Sequence, residues 1–444
     1  MSNTTVKATL RDRISQLVGS DGWPASLSSW LLAFSLIMAP NSEFEVALHI
    51  SYGDVLVMAA VFAALIERAV RGERMPVLPR LYVALCLLVT SYLLNNATDV
   101  RDERGSFFTI VTMMVVFPQA FLFVRLGNAN QVRFMIYAWT LGCLAGALFA
   151  IAYCNGYFPS HSDAFWYYNH RARGLTPHPN RLGLVCFLGV PGVLLLLSES
   201  RSLLGRSVAL VGLAILLKAL DYSGSRAGTI AAVIIIVMWG VLLTLDSMRT
   251  RSFRHGAFAR AVVIGAISAL ALGAYGALTG RGIPIIQGTI DRLLRGDKTS
   301  DSTRSWLNDR AMDQFFTSPL FGEGFQWFGV YDPAVAHNLY LQYLSAAGIA
   351  GLVVLLMIVA YPLAAVLKYQ IRLRDRASIR LNTVLLASGT GLLVWLWPQS
   401  GFTAYEGLVY VCITTYVAVW RIYERPTTES ADRAHRSPDS YAPI

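Results

Sequence analysis

Residues 218–245 read KALDYSGSRAGTIAAVIIIVMWGVLLTL. One apolar segment ends near Asp221, residues 222–225 form a very short turn, and a second apolar block runs from Arg226 to Leu245. About twenty predominantly apolar residues are needed for a helix that crosses a bilayer. The stretch therefore predicts two neighbouring membrane-spanning helices joined by a very short loop.

Similar apolar blocks recur along the chain, which has 444 residues and is 55% hydrophobic but only 14% charged. This pattern is typical of an all-α polytopic integral membrane protein and argues against a soluble enzyme. We predict about twelve spans, at 25–40, 51–67, 77–94, 106–126, 134–154, 182–198, 206–221, 226–245, 260–279, 338–366, 381–398 and 404–421. The predicted organisation is spans 1–9 within 1–279, a large outer loop at 280–337, spans 10–12 within 338–421, and a disordered polar tail at 422–444.

The net charge of +10 is explained by where the cations lie relative to the predicted spans, so it does not indicate a nucleic-acid partner. In the twelve-span arrangement the cations near both termini and in three connections fall on one side: Lys7, Arg11, Arg13, Arg68, Arg71, Arg74, Arg80, Arg249, Arg251, Arg254, Arg260, Lys368, Arg372, Arg374, Arg376, Arg380, Arg421, Arg425, Arg433 and Arg436. The positive-inside rule assigns that side to the cytoplasm. Both termini are therefore predicted to be cytoplasmic.

The outer side has two long loops, 155–181 and 280–337, and a second group of cations. Long loops in compact proteins usually serve a function. A cationic side chain near the hydrocarbon boundary usually extends to the water interface, forms an ion pair with an acidic residue, or binds a ligand. For Lys218 the simpler alternative is an ion pair with Asp221. Several guanidinium groups facing one cavity would instead hold a lipid pyrophosphate. The candidates are Arg181, Arg226, Arg304 and Lys218.

Helical spacing within the large loop predicts two amphipathic helices on the membrane face. One covers Ile286 to Leu294, and the other places Leu307, Ala311 and Phe315 on one face after a cap at Ser302 or Thr303. Pro319 is expected to stop the second helix, and Gly322, Gly324 and Gly329 to allow tight turns.

Span 10 opens with an unusual polar group, AHNLY at 336–340. On a helix beginning near Ala336, His337 and Tyr340 would share a face, whereas Asn338 would point elsewhere. An interfacial anchor is one interpretation of His337. The other is a general base, because a neutral imidazole beside arginines accepts a proton at neutral pH.

Metal and cofactor signatures are lacking in the sequence. His161, His170 and His178 have no zinc-type spacing, no Asp-x-Asp pair occurs, and Walker and dinucleotide motifs are absent. The sequence thus predicts no metal and no cofactor.

Three motifs in order resemble the O-antigen ligase family, which also includes O-antigen polymerases and O-oligosaccharyltransferases. They are GLTPHPNRLG (174–183), YSGSRAG (222–228), and the outer loop with its histidine, STRSWLNDRAMDQFFTSPLFGEGFQWF followed by AHNLYLQYLSAAGIAGL. The resemblance covers about 174–352. It implies a GT-C-like helical membrane glycosyltransferase that uses an undecaprenyl pyrophosphate-linked glycan at the periplasmic face of the bacterial inner membrane, without a metal.

By position, the resemblance makes His337 the catalytic histidine and Arg226 and Arg304 the donor-phosphate arginines. Asn180 and Arg181 match more loosely, Asn180 as a glycan or acceptor contact and Arg181 as a phosphate contact. Tyr340 and Trp166 are further candidates for glycan or acceptor binding, although an interfacial aromatic belt also accounts for Trp166. For a ligase, the acceptor is lipid A-core.

Two alternatives stay open. The first keeps the chemistry and changes the acceptor, as in an O-antigen polymerase or a protein O-oligosaccharyltransferase. The second is a transporter of lipid-linked sugars, although the sequence has no clear internal repeat, which transporters often have.

Overall fold

The computed structural model describes residues 27–38, 40, 45–47, 50–70, 129–157, 166–167, 171–176, 178–249, 298–322, 338–370 and 376–397. The described part is mostly helical. Its helices are α1 (Leu27–Met38), α2 (Tyr52–Val70), α3 (Ala129–Cys154), α4 (Pro179–Glu199), α5 (Leu203–Ser223), α6 (Arg226–Arg249), α7 (Lys298–Thr317), α8 (Leu339–Gln370) and α9 (Arg376–Leu396).

Two short antiparallel strand pairs accompany the helices. They are β1 (Glu45–Ala47) with β2 (Ile50–Ser51), and β3 (Trp166–Tyr167) with β4 (Arg171–Ala172). The second pair lies in the predicted outer loop 155–181, where the sequence indicated no strand.

Within the described residues, five helical segments are long and apolar enough to cross a membrane: Val132–Cys154, Pro179–Glu199, Leu203–Ser223, Arg226–Met248 and Arg376–Leu396. They agree with predicted spans 5 to 8 and 11, and they are consistent with an all-α membrane protein. The predicted spans at 77–94, 106–126, 260–279 and 404–421, the loop helix at 286–294 and the tail at 422–444 lie outside the described residues. The total of twelve stays a prediction.

Helix α4 forms the centre of the bundle. It is buried along nearly its whole length and packs against α3, α5, α6 and α9. Pro191 lies within it, and Gly189 and Gly192 allow side chains of the neighbouring helices to approach closely, including Cys143 and Thr140 of α3. A Cβ at Gly192 would lie on the Thr140 hydroxyl, so the glycine is required by this packing.

The helices alternate in direction, which defines two ends of the bundle. At one end, Arg133 near the start of α3 forms a salt bridge with Glu199 at the end of α4, with 2.8 Å between Nε and Oε1. Tyr137 donates to the other oxygen of the same carboxylate at 2.9 Å. We call the other end, where α4 and α6 begin and α5 and α9 finish, the loop end.

Helix α8 is broken within the span predicted at 338–366. Gly348 adopts φ 64° and ψ −165°, which separates a half-helix at 339–347 from a long segment at 349–370. A left-handed φ of this kind is readily adopted only by glycine. The backbone N–H groups of Ile349 and Ala350 donate to the carbonyl oxygens of Pro319 and Leu320 in the turn that follows α7.

Candidate functional site

The turn between α5 and α6 places Arg226 at the loop end. Gly224 ends α5 in the left-handed region, with φ 60°, and its N–H donates to Asp221 O at 3.0 Å. The Ser225 hydroxyl accepts from the N–H of Gly228, as an N-cap residue does. The very short turn predicted from the sequence is thereby confirmed, and Arg226, half-buried, is the first residue of α6.

The beginnings of α4 and α6 lie against each other. A Cβ built on Gly183 would come within 2.4 Å of Ser225 Cβ, and one on Gly228 would come within 3.1 Å of Gly183 O. Two helix N-termini, each with a partial positive charge, therefore meet at the loop end. Such an arrangement favours an anionic group.

Arg171, on β4, connects these elements. Its Nε donates to Ser223 O at 2.9 Å, and its Nη2 donates to Asn180 Oδ1 at 2.7 Å. Arg171 belongs to the predicted outer loop 155–181 and is not among the site residues predicted from the sequence. No local pattern links it to Asn180, since the contact depends on the β3–β4 pair, which was not predicted.

The start of α4 carries both looser candidates, Asn180 and Arg181. His178 caps the helix, with its Nδ1 accepting from the N–H of Asn180 at 3.1 Å, and Pro179 takes the first helical position. Pro suits that position because its missing N–H would have had no partner in the helix. Arg181 is half-buried, with its Nε enclosed by the protein.

Lys218 lies near the end of α5 and is 44% exposed. Its Nζ is 3.2 Å from Asp221 Oδ2 and 4.3 Å from the centre of the Tyr222 ring. The simple alternative considered for this residue, a pair with Asp221, is therefore present in the structure.

Arg304 lies on the inner face of α7. Four residues at helical spacing form that face: Arg304, Leu307, Asn308 and Ala311. Leu307 and Ala311 are almost fully buried and pack against Leu341 of the α8 half-helix. The Nε of Arg304 is enclosed as well. Packing of α7 thus brings Arg304 beside the beginning of α8.

Helix α7 ends where the sequence predicts and begins earlier than predicted. The helix exists and ends at Thr317, before Pro319, as predicted. Its beginning was predicted wrongly, because it starts at Lys298, so that Ser302 and Thr303 lie inside the helix and do not cap it.

The start of α8 also differs from the sequence prediction. The helix begins at Leu339, with the side-chain oxygen of Asn338 accepting from the N–H groups of Tyr340 and Leu341 at 3.0 and 3.2 Å. Asparagine is a favoured N-cap because its oxygen replaces the missing helical acceptors. A helix that begins near Ala336 is therefore wrong, because the helix begins three residues later. His337 itself lies outside the described residues and directly precedes the cap.

Tyr340 is held by the last turn of α9. Its hydroxyl donates to Leu393 O at 2.8 Å, and its ring lies 6.0 Å from that of Trp397. Trp395 of the same turn lies 5.7 Å, centre to centre, from Phe187 of α4. The end of α9 therefore joins the α4 and α6 starts, which carry Arg181 and Arg226, to the α8 start, next to Arg304. Of Trp166, the structure describes the backbone, paired with Ala172.

One family model matches the chain, over residues 211–356, and its description is O-Antigen ligase. Members of this family are membrane glycosyltransferase-like enzymes. The matched range includes Lys218, Arg226, Arg304, His337 and Tyr340, whereas Trp166, Arg171, Asn180 and Arg181 precede it. No curated protein matches the chain. This match supports the resemblance to the O-antigen ligase family deduced from the sequence, over residues 211–356.

Proposed function

We propose that the protein is an O-antigen ligase, which transfers a polysaccharide from undecaprenyl pyrophosphate to lipid A-core at the periplasmic face of the bacterial inner membrane. The loop end of the bundle is the periplasmic end in this proposal, and both termini are cytoplasmic. The large loop 280–337 and the tail 422–444 keep the boundaries predicted from the sequence.

The packing of α7 on the α8 half-helix is the observation that supports this function best. It brings Arg304 beside the segment that His337 precedes, and both residues lie in the family-matched range. On the other side of the α9 end, Arg226 and Arg181 lie at two adjoining helix N-termini. A diphosphate placed at this end would meet fixed positive charge from several directions.

The donor chemistry needs such charge. As the bond between the anomeric carbon and the phosphate oxygen breaks, negative charge develops on the leaving undecaprenyl pyrophosphate. Guanidinium groups of Arg226 and Arg304, with help from Arg181 and Lys218, would stabilise that charge in a site of low dielectric. Because these groups are held by packing and capping before the substrate arrives, little reorganisation accompanies the reaction.

His337 acts as the general base in this proposal. Its imidazole takes the proton from the acceptor hydroxyl while the acceptor oxygen forms the new bond to the anomeric carbon. Base catalysis of this type contributes about 10²- to 10⁴-fold in rate. Direct displacement inverts the anomeric centre and needs no metal. Asn180, Tyr340 and Trp166 are the proposed glycan or acceptor contacts. For Tyr340 the ring is the part that contacts the sugar, because its hydroxyl donates to Leu393 O.

Transfer with purified components tests the proposal. The parent protein, His337→Ala and Arg304→Ala are incubated with the lipid-linked glycan and lipid A-core, with and without EDTA. Arg310→Ala is the matched control, since Arg310 is an exposed arginine on the same helix that lies over the Trp306 ring. We expect both site variants to lose at least about 100-fold in kcat. The control and the EDTA-treated parent should stay active.

The products separate the alternatives. Glycan that lengthens on the lipid carrier without lipid A-core would indicate a polymerase, and absence of undecaprenyl pyrophosphate release would indicate a transporter. Full activity of His337→Ala would remove this residue as the base, and a product of retained configuration would overturn the direct displacement.

A further inference from the structure

Arg171 holds three elements together through one guanidinium group. The side chain starts from β4, its Nε reaches the carbonyl oxygen of Ser223 at the end of α5, and its Nη2 reaches Asn180 in the first turn of α4. Gly224 leaves room for it, because a Cβ there would lie 3.1 Å from Arg171 Nε. Ser223 O is one of the last carbonyl groups of α5, for which the helix itself supplies no N–H donor. Arg171 therefore also provides a hydrogen bond to the C-terminal end of α5.

The contact with Asn180 fixes the orientation of its amide. An asparagine amide has one accepting oxygen and one donating nitrogen, whereas arginine only donates. Arg171 therefore selects the orientation in which Oδ1 faces the guanidinium, and Nδ2 is turned away from it. The backbone N–H of Asn180 is also used, since it donates to His178. Among the described residues, these contacts leave the Nδ2 hydrogens as the donors that Asn180 can still offer.

We propose that Arg171 is a positioning residue, which turns the Asn180 Nδ2 group toward a phosphate oxygen of the donor. This inference rests on the proposed function. It changes the role of Asn180 from a glycan contact to a phosphate contact. Asn180 follows Pro179 in the first turn of α4, and it precedes Arg181, so a phosphate at this helix start meets the amide, the guanidinium and the helix N-terminus together.

If Arg171 had a purely structural role, the substitution Asn180→Asp would leave the donor KM at the parent value. Aspartate keeps an oxygen for Arg171 and makes the pair an ion pair, so the clamp between β4 and α4 is retained. It replaces the donating NH₂ group by an oxygen and adds a negative charge where the proposal places phosphate. The variant therefore distinguishes an effect of Asn180 on the stability of the fold from an effect on donor binding.

The test measures donor KM, kcat and thermal unfolding for Asn180→Asp, Asn180→Ala, Arg171→Lys and the double variant Arg171→Lys with Asn180→Ala. We expect Asn180→Asp to unfold at the parent temperature while its donor KM rises about ten- to a hundredfold, as for loss of a hydrogen bond to a charged group. Lysine has a single ammonium and does not reproduce two directed hydrogen bonds, so Arg171→Lys should raise donor KM in the same way. Because the two changes remove the same contact with the phosphate, the donor KM of the double variant should not exceed the higher of the two single-variant values.

Arg173→Gln is the matched control, because Arg173 follows β4 directly and lies two residues from Arg171. Its donor KM should equal that of the parent. A parent-like donor KM in Asn180→Asp, or additive effects of the two single changes, would overturn the inference. If the parent transfers glycan, either outcome leaves the proposed function standing, whereas a parent that releases no undecaprenyl pyrophosphate contradicts the proposed function itself.

Discussion

The backbone N–H of Ile349 donates to the carbonyl oxygen of Pro319 across 2.9 Å, which fastens the turn after α7 to the break in α8. The break at Gly348 removes the helical acceptors of the N–H groups that follow it, which therefore need other partners. Pro319 and Leu320 supply the missing oxygens. Helix α7 is therefore held against α8 at its middle, by the contact of Leu307 with Leu341, and beyond its C-terminal end, by this turn.

The first prediction concerns the glycines of this joint. Gly322 and Gly348 have φ of 72° and 64°, and a Cβ on either would lie 2.3 Å from a backbone carbon of the other segment. Gly348→Ala should destabilise the protein by about 1–3 kcal/mol for a backbone conformation that essentially only glycine adopts, and by about 1–3 kcal/mol more for the overlap. Thermal unfolding in detergent measures the loss.

Gly156→Ala is the control for this prediction, because Gly156 has φ 75° and nothing within 4 Å of its Cβ position. It should show the conformational cost alone. Equal losses for Gly156→Ala and Gly348→Ala would contradict the close contact at the joint.

The second prediction concerns the contact between α4 and α6. Gly183→Ala would push its Cβ into Ser225, which caps α6, and should separate the two helix N-termini. We expect a loss of stability of about 1–3 kcal/mol and a raised donor KM, measured by unfolding and by steady-state transfer. In Gly212→Ala the nearest atom would be 3.5 Å away, so that variant should keep the parent KM. Parent-like kinetics in Gly183→Ala would show that the contact between α4 and α6 does not affect donor binding.

The third prediction concerns Lys218. Because its ammonium is 44% exposed and already paired with Asp221, Lys218→Gln should change stability by less than about 1 kcal/mol. Its effect on donor KM should be smaller than that of Arg226→Gln. Transfer assays at several donor concentrations compare the two, and a larger effect of Lys218→Gln would make Lys218 the main phosphate ligand.

The fourth prediction concerns the end of the bundle opposite to the proposed site. Glu199 accepts from both Arg133 and Tyr137, and its side chain is only 23% exposed. Glu199→Gln should cost about 1–3 kcal/mol in stability because the charged hydrogen bonds are weakened. Donor KM should not change. A change in KM without a change in unfolding would place the donor elsewhere than at the loop end.

Local sequence properties were sufficient for the five spans that the described residues contain and for the α5–α6 turn. Apolar blocks and the SGS turn are properties of neighbouring residues, so the bounds of α4, α5 and α6 agree with the predicted spans to within a few residues. Arg304 on α7 followed in the same way from helical spacing.

Tertiary contacts decided what the sequence did not predict. The segment SAAGIAGL at 345–352 reads as continuous small and apolar residues, whereas the break at Gly348 is stabilised by carbonyl groups of Pro319 and Leu320, about thirty residues earlier in the sequence. The clamp of Arg171 on Asn180 depends on a strand pair of two residues each, too short to give a periodic signal. Asn338 was misassigned because the AHNLY segment is equally compatible with a helix start two or three residues earlier.

The break in α8 also changes how the length of this helix compares with the thickness of the membrane. At 1.5 Å per residue, its 32 residues as one straight helix would measure about 48 Å, against about 30 Å of hydrocarbon. The segment 349–370 alone measures about 33 Å, which matches the hydrocarbon with a slight tilt. Gly348 therefore divides α8 into a segment about as long as the hydrocarbon is thick and a half-helix at 339–347 that lies beside α7.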